Sequence, residues 1–308
     1  MNRRILITGS SGLVGKALKS ALEEKNIEVV GLDIKGKGSS AGDVRDINRV
    51  RTAVEHCDGV VHLAAVSRVI WGERDPELCR ATNVGGLRNV IEAILCQQKS
   101  PWLIFASSRE VYGQPDILPV AEDALLRPLN VYGHCKVSGE QFVDKARSDG
   151  LRASTVRLSN VYGNIDDHAD RVIPAFARGA VVGQRLRVDG ADNTFDFTHI
   201  DDTTRGLVAL VEHMMSGGDA LPPIHFLTGR PTTLKQLAEM AIDIADSDSG
   251  ILSAPARTYD VAKFYGNPDR AHDLLGWSPQ VMLREGLTRL INDFREEFAA
   301  GNRLEVTQ

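Results

Sequence analysis

The sequence lacks the marks of a disulfide-stapled, metal-clamped or membrane-crossing chain. Its four cysteines, Cys57, Cys79, Cys96 and Cys135, form neither a C-x-x-C pair nor a cysteine/histidine cluster with zinc-like spacing, and read as reduced thiols. His62, His134 and His199 have no second ligand at metal spacing, so they read as packing or hydrogen-bonding residues and no metal is assigned. No apolar run approaches the ~20 residues needed to cross a bilayer, and the N-terminus enters a strand without a basic and apolar leader. The expectation is a cytoplasmic protein with no membrane partner. A surplus of basic residues is also absent: the formal net charge is −5, with acids and bases interspersed, which gives no broad positive field for a nucleic-acid backbone. Tandem repeats and low-complexity linkers are missing as well.

What is present is an ordinary globular composition, 43% hydrophobic and 25% charged, over 308 residues. Single hydrophobic cores stop growing at roughly 250–300 residues, so one large α/β unit with a smaller appendage is expected. Ile5, Leu6 and Ile7 form a short continuous apolar run bounded by Gly9, as in a strand buried on both faces. Leu13, Val14, Ala17, Leu18, Ala21 and Leu22 then recur at helical spacing, and a second apolar run follows at residues 27–32. The alternation continues with strands predicted at 59–65, 102–107 and 152–158, separated by helical patterns near 46–55, 76–97 and 131–148. This predicts an α/β fold with a doubly wound, mostly parallel Rossmann sheet. After Tyr162 the rhythm loosens, and a smaller C-terminal α/β lobe for substrate is expected. The division reads as 1–163 for the dinucleotide domain, with 191–216 returning to it, and 164–190 plus 217–308 for the small lobe.

The segment Thr8-Gly9-Ser10-Ser11-Gly12-Leu13-Val14-Gly15 lies between the first strand and the first helix, where a doubly wound sheet binds a dinucleotide. Gly9 permits a tight turn, Gly12 lets the backbone approach a pyrophosphate, and Gly15 permits close helix packing. Asp33 ends the second strand, where a carboxylate accepts hydrogen bonds from an adenosine ribose and repels a 2′-phosphate; NAD is therefore preferred to NADP. Lys35 and Lys37 soften that repulsion, and a simple turn cap is the other reading of Asp33.

The ordered series of that glycine segment, Gly42-Asp43-Val44, His62-Leu63-Ala64-Ala65, Ser107-Ser108 and Tyr132-x-x-x-Lys136 resembles the extended short-chain dehydrogenases, the NAD-dependent sugar epimerase/dehydratase family. The resemblance runs on through residues 157–163, 255–260 and 275–279. It implies NAD as cofactor, held by Gly9, Ser11, Gly12, Leu13, Val14, Gly15 and Asp33, with Asp43 and Val44 at the adenine. It also implies that Leu63, Ala64 and Ala65 pass beneath the cofactor and that Asn83 braces the central sheet region. A nucleotide-sugar substrate is implied to meet Ser67, Ser108, Asn160 and Arg257, the last two at the diphosphate. One departure stands out: Phe195 occupies a position where the family commonly has an arginine, leaving Arg171, Arg185 or Arg187 to compensate. A homodimer packed through residues 76–97 and 131–148 is implied too; burial of both arcs within one subunit is the alternative.

Tyrosine has an unperturbed pKa near ~10, so its use as a base at neutral pH needs a positive neighbour, and a lysine one helical turn later lies on the same face. Tyr132 and Lys136 meet that requirement, with Ser108 assisting at the sugar hydroxyl. The preferred expectation is epimerisation at carbon 4 of a nucleotide-activated hexose through a transient 4-keto sugar. The alternative is a 4,6-dehydratase, because Glu110 falls where family dehydratases carry their carbon-5 base. Arg109 counts against it, standing where some of them have an acid, and Glu110 can equally pair with Arg109 or cap a loop. A one-way keto-sugar reductase and a non-catalytic dinucleotide-binding regulatory module are the remaining readings.

Overall fold

In the computed structural model, which describes residues 3–301, strands and helices alternate through the first half of the chain. The elements there are β1 (Arg4–Thr8), α1 (Leu13–Glu24), β2 (Glu28–Leu32), α2 (Ile47–Val54), β3 (Gly59–His62), α3 (Val69–Arg74), α4 (Pro76–Arg80), α5 (Gly86–Leu95), β4 (Trp102–Ser108), α6 (Val131–Ser148) and β5 (Ala153–Leu158). The second half contributes β6 (Asn160–Tyr162), α7 (Val172–Val181), β7 (Leu186–Asp189), β8 (Thr194–His199), α8 (Ile200–Met215), β9 (Ile224–Phe226), β10 (Pro231–Thr233), α9 (Leu234–Ala245), β11 (Ile251–Ala254), α10 (Asp269–Leu275) and α11 (Leu283–Ala299).

Six parallel strands form the large sheet in the order β2-β1-β3-β4-β5-β9. Alternate side chains of each strand serve opposite faces. Ile5 and Ile7 join Leu18, Leu22, Leu207 and Val211 beneath α1 and α8. Leu6 joins Val50, Val90 and Val143 beneath α2, α5 and α6. The chain runs from β1 outward to β2 and then crosses to β3 on the other side, so the strand order reverses between β1 and β3, the place where doubly wound sheets open a crevice at their carboxyl ends.

A second core gathers Phe176, Leu186, Phe197, Leu237 and Leu290 from α7, β7, β8, α9 and α11. It holds a three-stranded sheet, β10-β8-β6, and the parallel pair β11-β7.

The lobe boundary differs from the sequence division. Within 191–216 only α8 returns to the large sheet, packing on α1, whereas β8 pairs with β6 and β10. Within 217–308, β9 completes the large sheet and α10 and Trp277 pack against its core; residues 302–308 of that range lie outside the described residues. Trp277 donates from Nε1 to the Asp202 carbonyl at 2.9 Å, and Asp202 accepts from the amides of Gln280 and Val281 at 3.0 Å each, which pins this turn to α8. The helix predicted over 76–97 is also interrupted: Ala81–Gly85 widens into a π-turn between α4 and α5.

Candidate active site

Gly9 turns the chain out of β1 with φ of +73°, and an added Cβ there would stand 2.7 Å from the Ala64 nitrogen. The Leu63 amide still donates to the Thr8 carbonyl of β1 at 3.1 Å, and the predicted strand over 59–65 stops at His62. At Gly15 an added Cβ would stand 2.1 Å from the Gly9 carbonyl, so α1 docks on the loop only with glycine there. Gly12 caps α1 without a side-chain hydrogen bond, and the first turn contains no acid. An uncapped helix start without a competing carboxylate fits a pyrophosphate.

The Asp33 carboxylate accepts from the Ser11 amide at 2.9 Å and the Lys35 amide at 2.7 Å, tying the end of β2 to the glycine loop. Asp43 pairs with Arg45, whose Nε lies 2.8 Å from Oδ2, and this hydrogen bond holds the Asp43 carboxyl below the usual range. Val44 is buried, its carbonyl accepting from Asn89. Asn83 sits in the π-turn and bonds Val66 twice, at 2.7 and 3.1 Å, bracing the loop that follows Ala65. These residues fit an adenosine diphosphate running from β2 across the loop to the crevice.

A cavity of about 400 Å³ continues from there into the space between the two lobes. Its lining brings together Val14, Leu63, Ala65, Ser67, Ser108, Glu110, Tyr132, Lys136, Asn160 and Arg257 of the residues singled out in the sequence. Arg171, Arg187 and Phe195 line it as well, while Arg185 does not. Sequence reading missed Arg68, Asp167 and Asp170, which also line it; Arg68 and Asp170 form an ion pair across 102 residues of chain, a separation that no local pattern signals.

Tyr132 and Lys136 occupy the first turns of α6, whose start is fixed by Asn130: its Oδ1 accepts from the Gly133 amide at 2.8 Å. Lys136 Nζ lies 5.7 Å from the Tyr132 ring centre and donates to the Ala106 carbonyl at 2.6 Å. Burial pushes the lysine down to about 8, with the thiols of Cys135 and Cys79 and the Glu140 carboxylate acting the other way. Burial likewise pushes Tyr132 up to about 12, opposed by the neighbouring Ser108 hydroxyl. Such a tyrosine is a base only when positive charge is brought beside it.

Glu110 follows β4 in a single 3-10 turn and is buried. Its Oε1 lies 2.7 Å from Arg109 Nη2, and its Oε2 accepts from Asn130 Nδ2 at 2.8 Å. Arg109 is buried too, stacked 4.6 Å over the centre of the Phe195 ring. Asn160 donates to the Asp196 carbonyl at 3.3 Å, and Arg257 Nε to Asp260 at 2.8 Å.

Behind the cavity wall lies a buried polar relay. Arg157 holds Glu140 with two hydrogen bonds, of 2.9 and 2.6 Å, and donates to Tyr112 Oη at 2.6 Å, which in turn meets His225 at 2.6 Å. Glu140 stands one helical turn beyond Lys136 on α6 and accepts from Ser107 as well.

The sequence pattern of the NAD dependent epimerase/dehydratase family matches residues 5–221. GDP-6-deoxy-D-mannose reductase of Pseudomonas aeruginosa is 27% identical, over 96% of this chain and 98% of its own. UDP-glucuronic acid decarboxylase 6 of Arabidopsis thaliana is 30% identical, over 96% of this chain and 89% of its own. The crystal structure of UDP-glucose 4-epimerase from Thermotoga maritima, with UDP-glucose, is similar with a TM-score of 0.88 at 27% identity, covering 96% of this chain and 99% of that one. The three names describe three different reactions on one scaffold. Among the described residues no cluster of histidine, cysteine or acid could hold a metal ion, and no helix is long and apolar enough to cross a membrane.

Proposed function

The chain belongs to the NAD-dependent epimerase/dehydratase family, and within it we propose that the protein inverts carbon 4 of a nucleotide-activated hexose through a transient 4-keto sugar. The observation that carries this reading is the pairing of Tyr132 and Lys136 in the cavity while both oxygens of Glu110, the nearby acid, are engaged by Arg109 and Asn130. NAD, when bound, supplies the site where hydride is taken up and given back.

In this reading Tyr132 Oη takes the proton from the hydroxyl at carbon 4 and later returns it, while the Ser108 hydroxyl holds the same sugar oxygen. Lys136 steadies the tyrosinate electrostatically and bonds the cofactor ribose. Gly9, Ser11, Gly12, Leu13, Val14, Gly15 and Asp33 hold the adenosine diphosphate, Asp43 and Val44 border the adenine, and Leu63, Ala64 and Ala65 support the dinucleotide from below. Ser67 and Asn160 bind the substrate, and Arg257 takes its diphosphate by releasing an exposed ion pair of small net worth. A homodimer formed through α4, α5 and α6 belongs to the same reading.

The competing 4,6-dehydratase reading makes Glu110 the base at carbon 5. It requires a buried carboxylate whose two oxygens each already face a donor to take up a proton as well.

Incubation of the NAD-loaded protein with UDP-, GDP-, dTDP- and CDP-hexoses, followed by mass spectrometry and proton NMR, tests the proposal. A product of unchanged mass with inverted carbon 4 supports it; loss of one water transfers the site to the dehydratase reading.

A further inference from the structure

The chain between β6 and α7 touches both sides of the crevice where the strand order reverses. Residues 164–171 leave the smaller lobe, with Ile165 packed on its core, and contain no helix or strand. Hydrogen bonds within the segment fix its path: Asn164 Oδ1 accepts from the Asp166 amide at 2.8 Å, and the His168 carbonyl from the Arg171 amide at 2.9 Å. On one side of the crevice, Asp166 pairs at 3.0 Å with Lys16 in the first turn of α1. On the other, Arg68 forms an ion pair with Asp170 and donates to its carbonyl at 3.2 Å. The same guanidinium stands 5.8 Å over the Trp71 ring, and Trp71 meets His168 with ring centres 4.7 Å apart and planes nearly perpendicular.

The start of α1 and the turn after β3 are the walls between which an adenosine diphosphate fits, so a segment tied to both lies across the path of the cofactor. Burial lowers His168 below its ordinary value, and Arg171, Arg68 and Lys35 act in the same direction, which places the end of β2 within electrostatic reach of the segment as well. The inner side of the segment has an unmet acceptor: Asp167 lines the cavity, and its Oδ2 is buried without a hydrogen-bond partner. Such an oxygen is costly to leave bare, and the ribose hydroxyls and carboxamide of a dinucleotide are donors of the kind it lacks. The two ties are weak by construction. Asp170 keeps 60% exposure against 13% for Arg68, and Lys16 and Asp166 are both exposed, so each pair is worth little and both can part without unfolding the lobe.

We propose that residues 164–171 form a strap over bound NAD, and that parting of the Lys16–Asp166 and Arg68–Asp170 pairs sets the rate at which the cofactor leaves. The proposal concerns the cofactor and holds whichever carbon of a nucleotide sugar the protein alters. In a reaction that returns its own hydride, such a strap keeps the cofactor in place between the two transfers.

The test is the release of isotope-labelled NAD from the loaded protein during a chase with excess unlabelled NAD, sampled by rapid gel filtration and mass spectrometry. The informative variant combines Asp166→Asn with Asp170→Asn, both at exposed side chains. These acids lie near a site for an anionic diphosphate, so charge alone predicts that neutralising them holds NAD more firmly and slows its release. A strap predicts the opposite sign: release about fivefold faster or more than in the parent, as the loss of two exposed pairs would give, with a gap that narrows at high salt. Each single substitution should give part of the effect. Unchanged or slower release in the double variant overturns the proposal; if its affinity for UDP-glucose falls at the same time, the segment serves the substrate instead. None of these outcomes bears on the chemistry at carbon 4, which product analysis decides separately.

Discussion

Arg109 and Glu110 are adjacent in sequence and paired in space: Nη2 lies 2.7 Å from Oε1, so the guanidinium holds one oxygen of the carboxylate. Asn130 completes the hold at 2.8 Å while its other side-chain atom caps α6, so Glu110 anchors the helix that carries Tyr132.

The consequence is specific for Glu110→Gln. An amide keeps the size of the side chain but meets two donors with only one acceptor, so stability should fall by about 1–3 kcal/mol. Turnover should drop by less than about tenfold, because no proton passes through this side chain in the proposed reaction. A dehydratase would lose about a hundredfold or more on losing its base. Steady-state rates with product identification separate the two.

Asp33 carries the next prediction. Its carboxylate accepts from Ser11 and Lys35 amides, so Asp33→Ala removes both a ribose partner and a tie of the glycine loop. NAD should bind about tenfold more weakly and NADP should gain relative to it, read by parallel titrations. An unchanged ratio of the two affinities would show that Asp33 does not face the ribose.

Arg157 and Glu140 form a buried, doubly hydrogen-bonded pair behind the site. Arg157→Met leaves Glu140 without its main partner inside the fold, which should cost about 3–5 kcal/mol in a urea denaturation series. A loss below about 1 kcal/mol would mean that Ser107 and water satisfy the carboxylate alone.

Acid stability follows from two buried histidines. Burial pushes His62 and His225 down to about 3 each, whereas an unfolded chain protonates them near ~6.5. Between those values the unfolded state binds the protons and the folded state refuses them. Their contribution is therefore complete above pH 6.5 and is lost as pH falls toward 3. His62→Asn should reduce the pH slope of unfolding by up to one proton over that window. A slope identical to the parent protein would contradict the assignment.

The glycine loop, Asp33 and the Tyr132/Lys136 pair were readable because each depends on a local pattern: a strand-to-helix turn, a strand end, one helical turn. Other features depend on contacts between distant segments. Ile224–Phe226 has only three residues, too few for a period to emerge, and becomes the edge of the large sheet through pairing with β5. The interruption at Ala81–Gly85 lies inside an unbroken apolar pattern, and the glycine that follows it responds to packing: a Cβ on Gly86 would stand 2.6 Å from Val44. Arg109 was legible as a departure from a familiar motif, but its orientation against Phe195 comes from a strand 86 residues later and from Phe264 beyond it. Local pattern placed Tyr132 and Lys136 one helical turn apart, and tertiary packing determines the shape and charge of the pocket that they line.

The most direct test of the central claim compares the parent protein with Tyr132→Phe, both loaded with NAD, on the nucleotide sugar that binds best, following the carbon-4 proton by NMR. The account predicts an inverted carbon-4 signal at unchanged mass in the parent, slowed by at least about a hundredfold in the variant while its NAD content is retained. Inversion at the parent rate in Tyr132→Phe, or a product from the parent that lacks one water, would contradict it.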